Sequence, residues 1–396
     1  MEKRSQKRKR RQRKKLLFGL GILLGTLILS GALLLILRGR APDSLAQSAV
    51  TAAEESPELP ADTAPTTTPV PTFTSAPTQA PILPIASVRL TFAGDATLGC
   101  NMNGNNRRFA KVAEREGYAY FLQNLKEVFS EDDLTVVNLE GPLTTATKKR
   151  SNREFNFRGD PAYAAILSEG SVEAASLANN HARDYLSQGL ADTAAACKEV
   201  GVEPFGYKTQ FVTEVNGIRL GFLGFTQWET KQSEMVSAVK NLRSDVDILV
   251  VYYHWGVEKA YKPLSAQKKL GRAAIDAGAD LVVGGHSHVV GGVEVYKGKR
   301  IIYSLGNLCF GGNDTPFSFA AALYRVEFAF DPNAEEVSYQ SEALIPIQTS
   351  GSTKKNDFQP KLLSGEKALS VLKRIKNCSK SFSETVDFAQ MAAAYQ

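Results

Sequence analysis

A chain of 396 residues with 43% hydrophobic residues can bury a large core, and α/β folds of about 300 residues often form one domain. The formal charge of +6 misleads, because residues 1–15 hold ten Lys/Arg against one Glu, Arg38 and Arg40 follow, and residues 41–396 are net negative. The basic balance therefore gives no case for a nucleic-acid surface, and four scattered cysteines without a CxxC pair exclude a zinc finger or a disulfide framework. Residues 1–15 read as a basic cytoplasmic segment. Residues 16–37 are 22 positions without a charge; at 1.5 Å rise they span about 33 Å, enough for a hydrocarbon core of about 30 Å. The expectation is an uncleaved, single-pass membrane anchor over 16–38, with the bulk of the chain outside the cell by the positive-inside rule. A signal peptide cleaved near Ala46–Ala49 is the alternative. Residues 41–85, with nine prolines from Pro42 to Pro84, read as a disordered tether.

From Ser87 the pattern becomes α/β. SVRLTFAG, LTVVNLE, VEAASLANN, VDILVVYYH and ADLVVGGH are short β-rich runs, separated by helical stretches at 118–129, 161–168, 186–199 and 265–277. Such alternation predicts a largely parallel, buried sheet. The runs RLGFLGF, GGVEVYKGKRIIYSLGN, FAAALYRVEFAFD and SYQSEALIPI read as antiparallel hairpins, with KGK as one turn. The expected domain covers 86–350, and a helix near 364–376 lies in a C-terminal helical extension, 351–396. Cys100 and Cys309 each follow a motif; two buried thiols is the expectation, although export would permit a bridge.

Each β-rich run delivers a metal-capable residue where it ends, and open α/β sheets gather function at the carboxyl ends of their strands. The ends are Gly94-Asp95-Ala96-Thr97, Asn138-Leu139-Glu140-Gly141, Asn179-Asn180-His181, His254-Trp255-Gly256-Val257-Glu258 and Gly284-Gly285-His286-Ser287-His288. The set uses all four histidines of the chain. Any one of these residues alone is more often a helix cap or a satisfied core group. His286 and His288 stand at alternate positions, which share a face on an extended segment. Carboxylate, amide and imidazole donors together suit Mn²⁺, Fe²⁺ or Zn²⁺, and two such ions about 3.5–4 Å apart can clamp an in-line displacement.

The segments FAGDATL, VVNLEGPLT, SLANNHARDYLSQGL, YYHWGVE and DAGADLVVGGHSHVVGGVEVYKGKRIIYSLGNLCF resemble the calcineurin-like metallophosphoesterases, and more closely their CapA branch, the poly-γ-glutamate capsule-synthesis family. They lie between about residues 88 and 312. The resemblance implies a two-sheet α/β sandwich flanked by helices, with metals at its strand ends. It implies metal ligation by Asp95, Glu140, Asn180, His254, His286 and His288, a leaving-group acid in His181, and Asp184 orienting that acid. Arg158, Asn307 and Glu258 are candidates to meet the substrate. Asp95-Ala96-Thr97 lacks the imidazole of the usual Asp-x-His, and Glu140 stands where relatives carry a bridging aspartate, so one ion or two remain open.

The implied function is a metal-dependent hydrolase or transferase at the outer face of a bacterial membrane, acting on a phosphoester or an anionic polymer beside synthase subunits. A non-catalytic assembly subunit of such a synthase, or a general surface phosphatase or nucleotidase, is the alternative.

Overall fold

The computed structural model describes residues 83–396. The basic segment, the membrane anchor and almost all of the linker lie outside the described residues, among which no helix is long and apolar enough to cross a membrane. In chain order the strands are β1 (Ala86–Thr97), β2 (Cys100–Asn101), β3 (Leu134–Leu139), β4 (Phe157–Arg158), β5 (Ala174–Ser176), β6 (Glu203–Phe205), β7 (Phe211–Val215) and β8 (Ile218–Thr226). They continue with β9 (Ile248–His254), β10 (Leu281–Gly285), β11 (Val293–Tyr296), β12 (Lys299–Ile302), β13 (Asn307–Phe310), β14 (Ala320–Asp331), β15 (Glu336–Gln348) and β16 (Lys361–Leu362). One sheet runs β16-β15-β14-β1-β3-β5-β6 with β13 also on β1, the other β11-β12-β10-β9-β8-β7.

The unbroken apolar runs have a simple cause: successive side chains point to opposite faces, and here both faces are covered. On β9, Ile248, Val250 and Tyr252 join Leu90, Phe92 and Val136 of the other sheet in one core. Leu249, Val251 and Tyr253 point the other way, against Met235, Val239 and Ile275 of the helices Gln232–Arg243 and Ser265–Ala277. On the outer face of the first sheet, Ala93, Val137 and Ala175 pack against Phe109, Val112 and Cys197 of the helices Arg108–Glu116 and Leu186–Glu199. Burying each large side chain stabilises by roughly 1.5–3 kcal/mol. The result is the expected two-sheet sandwich flanked by helices.

Both sheets are mixed rather than largely parallel. β8 pairs antiparallel with β7 but parallel with β9, and β13 lies parallel on β1 instead of continuing a hairpin. The hairpins β11-β12 and β14-β15 are antiparallel as expected. The stretch 118–129 is two short helices, Ala119–Leu122 and Lys126–Ser130, and 161–168 opens as a 3₁₀ turn at Pro161. The helix Gly365–Ser379 sends Val371, Leu372 and Ile375 into the core shared by both sheets, so residues 351–396 fold onto the sandwich. It covers the edge strand β11, whose Val295 N–H is taken by Glu384 O at 3.1 Å, and an edge so covered cannot recruit another strand. All four cysteines are buried free thiols.

At the end of the first sheet away from the histidines, Glu173 accepts the Thr135 N–H at 2.7 Å. Burial, reinforced by the Asp132 charge, pushes its carboxyl up to about 7. A folded-state value above the unfolded one of about 4.3 means that ionisation costs stability as pH rises from there through about 7. Glu173→Gln keeps the acceptor and removes the charge. It should raise the melting temperature at pH 8 and leave it nearly unchanged at pH 4, measured by thermal denaturation; an equal shift at both values would refute the assignment.

Candidate metal centre

Strand register assembles the cluster. Asp95 on β1 stands level with Asn138 on β3 and Asn307 on β13, while His254 on β9 stands level with Thr226 on β8 and Gly285 on β10. The β1–β3 ladder slips between Phe92 and Asp95, a bulge of the kind that re-aims a side chain beside an active site. Gly285 is needed for the close approach: a Cβ there would sit 2.5 Å from Asp95 Oδ1. Beyond β10 the backbone leaves the extended region, with φ of +92° at His286 and +56° at His288. The two imidazoles therefore converge through left-handed turns, not through the strand alternation expected from their spacing. Such conformations cost about 1–3 kcal/mol each and persist where the surroundings enforce them.

Asp95, Glu140 and His254 are fully buried. Asp95 Oδ2 accepts the His286 N–H at 2.9 Å and lies 3.4 Å from His288 Nδ1. Its Oδ1 accepts Asn138 Nδ2 at 2.8 Å and lies 3.7 Å from His254 Nδ1. His254 Nε2 meets Asn180 Oδ1 at 2.8 Å and Glu140 Oε1 at 3.5 Å. His288 Nδ1 meets Asn307 Oδ1 at 2.9 Å and Glu140 Oε2 at 3.8 Å. Two ligand triads follow, Glu140–His254–His286 and Asp95–Glu140–His288, the candidate donor atoms of each lying within 4.8 Å of one another. Glu140 belongs to both, which is what a bridging carboxylate requires.

Burial opposes the charge of both carboxylates, yet the imidazoles beside them hold Asp95 and Glu140 below their ordinary values. Burial also opposes a charged His288, but Glu140 and Asp95 outweigh it and push the ring up to about 10. Burial and the neighbouring His254 push His286 down to about 2, leaving it a neutral imidazole. Its Nδ1 and both oxygens of Glu140 are buried without a hydrogen-bond partner. Leaving such groups unmet costs about 1–3 kcal/mol each, more for charged ones. A hard-to-borderline divalent cation held by oxygen and imidazole donors satisfies them all, so the residues fit the group that the motifs imply.

His181 stands beside the cluster rather than in either triad. Its Nδ1 lies 2.8 Å from Asp184 Oδ2, and that oxygen also accepts the Phe157 N–H at 2.7 Å. The Phe157 ring is 4.5 Å from the imidazole. Of the three residues proposed to meet substrate, Asn307 is buried against His288. Arg158 is turned aside, donating to Ala146 O at 2.8 Å with its guanidinium 5.3 Å from the Tyr185 ring. Glu258 is exposed. Sequence reasoning passed over Asn138 and Asn179, the latter donating to Leu139 O at 2.8 Å and to Asn138 Oδ1 at 3.2 Å. An asparagine inside the apolar run TVVNL was the available signal, because a buried amide needs partners. Trp228, whose ring adjoins His286, carried no such signal.

A buried set of carboxylates, amides and imidazoles, gathered at the strand ends of a two-sheet sandwich, has the donor chemistry of a divalent-metal centre. The chain belongs to the bacterial capsule synthesis protein family PGA_cap, whose profile matches residues 89–312. It is 31% identical over 244 residues to the PGA biosynthesis protein CapA of Bacillus subtilis, covering 56% of this chain and 62% of that one. It is 30% identical over 250 residues to the capsule biosynthesis protein CapA of Bacillus anthracis, covering 56% and 59%. The matches thus span less than two thirds of these relatives. Among solved structures, a phosphatase from Mycoplasma pneumoniae aligns with a TM-score of 0.42 at 17% identity, over 66% of this chain and 94% of that one.

Proposed function

We propose that the protein is a membrane-anchored, outward-facing, metal-dependent hydrolase or transferase acting on a capsule polymer of the poly-γ-glutamate kind, beside the subunits that make or export it. The observation that carries this reading is Glu140, buried, shared by two ligand triads and without a hydrogen-bond partner at either oxygen. The capsule roles printed for the two Bacillus relatives support the substrate class, and the uncharged run 16–37 behind a basic block supports the anchor.

A bound Mn²⁺, Fe²⁺ or Zn²⁺ would supply Lewis acidity and lower the pKa of water towards about 7. Asp95, Glu140, Asn180, His254, His286 and His288 would hold it, and Asn138 and Asn307 would keep Asp95 and His288 aimed. The acid chemistry falls to His181. With Nδ1 engaged by Asp184, Nε2 is the nitrogen left to carry a proton to the departing atom, and the buried Asp184 carboxylate stabilises the ring while it is charged.

Elemental analysis of the purified full chain tests the reading, followed by turnover of a phosphoester and of polyglutamate with added Mn²⁺ or Zn²⁺. Bound metal with turnover of either substrate is expected. Absence of metal under every condition would overturn the reading, and bound metal without turnover would favour the assembly-subunit alternative.

A further inference from the structure

Several residues around the cluster take no part in holding it. Trp228 is 48% exposed, yet its ring stands edge-on to His286 with centroids 4.5 Å apart, and 6.1 Å from the His254 ring. A pinned turn after β8 presents it there. Gln227 exchanges two hydrogen bonds of 3.0 Å with the Gly256 backbone, and Glu229 pairs with Arg183 at 3.2 Å. Two further exposed rings are linked to histidine motifs through one intervening residue each. Phe155 stacks at 6.1 Å on Phe157, the ring against His181. Phe317 lies 5.7 Å from Lys259 Nζ, and the Lys259 N–H donates to Ser287 O at 2.8 Å, between His286 and His288.

Cations accompany these rings. The segment before β4 carries Lys148, Lys149, Arg150 and Arg153 against Glu154 alone. It is tied to the His181–Asp184 pair by the Arg150 N–H, which donates to Asp184 O at 2.8 Å. The ion pairs among the described residues involve none of these four, nor Lys259. Residues 83–396 balance 35 Lys/Arg against 35 Asp/Glu, so the strip is a local excess of positive charge beside the cluster, where a polyanion meets attraction.

We propose that Trp228, Phe155 and Phe317 form an aromatic rim which, with the Lys148–Arg153 strip, holds an extended carboxylate-bearing polyamide across the metal centre. The proposal rests on the polymer reading above and names the residues that would select its substrate. Rings on three separate segments, Trp228 directly against His286, Phe155 behind Phe157 and Phe317 behind Lys259, suit a ligand longer than a single ester. Amide planes and methylene stems lie on aromatic faces, and the carboxylates pair with the unpaired cations. A small phosphate ester reaches the metal ligands without needing either.

The test is titration of the full chain and of Trp228→Ala and Trp228→Phe with polyglutamate, and separately with polyphosphate. Binding is read by calorimetry and tryptophan emission, and metal content by elemental analysis. The chain holds two tryptophans, and Trp255 is fully buried, so a polymer on the rim changes the emission of Trp228. We expect Trp228→Ala to weaken polyglutamate about 10-fold with its metal content intact, Trp228→Phe to recover most of the affinity, and the emission change to vanish in both variants. Metal-loaded chain that binds polyglutamate equally well without Trp228, or without altering its emission, would overturn the rim alone. Binding that depends on Trp228 in a chain without metal would instead sink the catalytic reading and leave the rim standing. Binding of polyphosphate only, or of neither polymer, would overturn the substrate class assigned to the rim.

Discussion

Glu140→Gln should release the divalent metal without unfolding the protein. Glu140 is the one residue common to both ligand triads, so its loss weakens each. Removing a mere orienting partner of a metal ligand costs about 10–100-fold in affinity; losing a shared ligand should cost more than the upper end of that range. The amide keeps the size of the carboxylate but carries no charge, and half of it is a donor aimed among donors. Folding should survive, because the amide fills the place of the carboxylate and Asp95 remains beside His254 and His288 to oppose their charge. Competition with a chelator measures the affinity, and the melting temperature in excess chelator measures the fold. Affinity equal to that of the unaltered chain would remove Glu140 from the centre and the two-triad arrangement with it.

His181→Gln should do the reverse: keep the metal and lose the reaction. The imidazole belongs to neither triad, and its hydrogen bond with Asp184 fixes which nitrogen faces the chemistry. Glutamine can occupy the space and bond to Asp184, but it cannot carry a proton at neutral pH. Losing a positioned acid costs typically 10²–10⁴-fold in turnover, so kcat on whichever substrate the unaltered chain turns over should fall by about that factor with metal content unchanged. A parallel fall in bound metal would make His181 a ligand; unchanged turnover would remove it from the chemistry.

The clustering of metal-capable residues was legible because they close apolar runs, where a polar residue stands out against the β-rich sequence before it. Asp95 after VRLTFAG and Glu140 after LTVVN are of this kind, and the resemblance to the capsule family rests on the same segments. The convergence of His286 and His288 was also legible, although its cause was not. Their spacing suggested one face of a strand, whereas two positive φ angles do the work, and backbone handedness at a non-glycine residue leaves no mark in composition. The parallel seat of β13 on β1 was hidden in the same way, since SLGNLCF follows a hairpin in the sequence and the choice of its partner is made by distant chain.

Arg158 and Glu258 show the limit of motif position. Both stand near motif residues in the sequence, yet Arg158 bonds back to Ala146 and Glu258 faces outward. Trp228 shows the converse: nothing in TQWET separates a rim residue from any other tryptophan.

The α/β class, the paired burial of the strand faces, the gathering of metal-capable residues at strand ends and the capsule family were all readable from the sequence, because they follow from local patterns of apolar and metal-capable residues. It took the folded chain to show that Glu140 is shared by two triads, that Asn138 and Asn307 flank Asp95, and that Trp228 stands against His286 while Arg150 is tied to Asp184. Those facts depend on strand register and on contacts between segments far apart in the chain, and such contacts exist only once the two sheets have closed on each other.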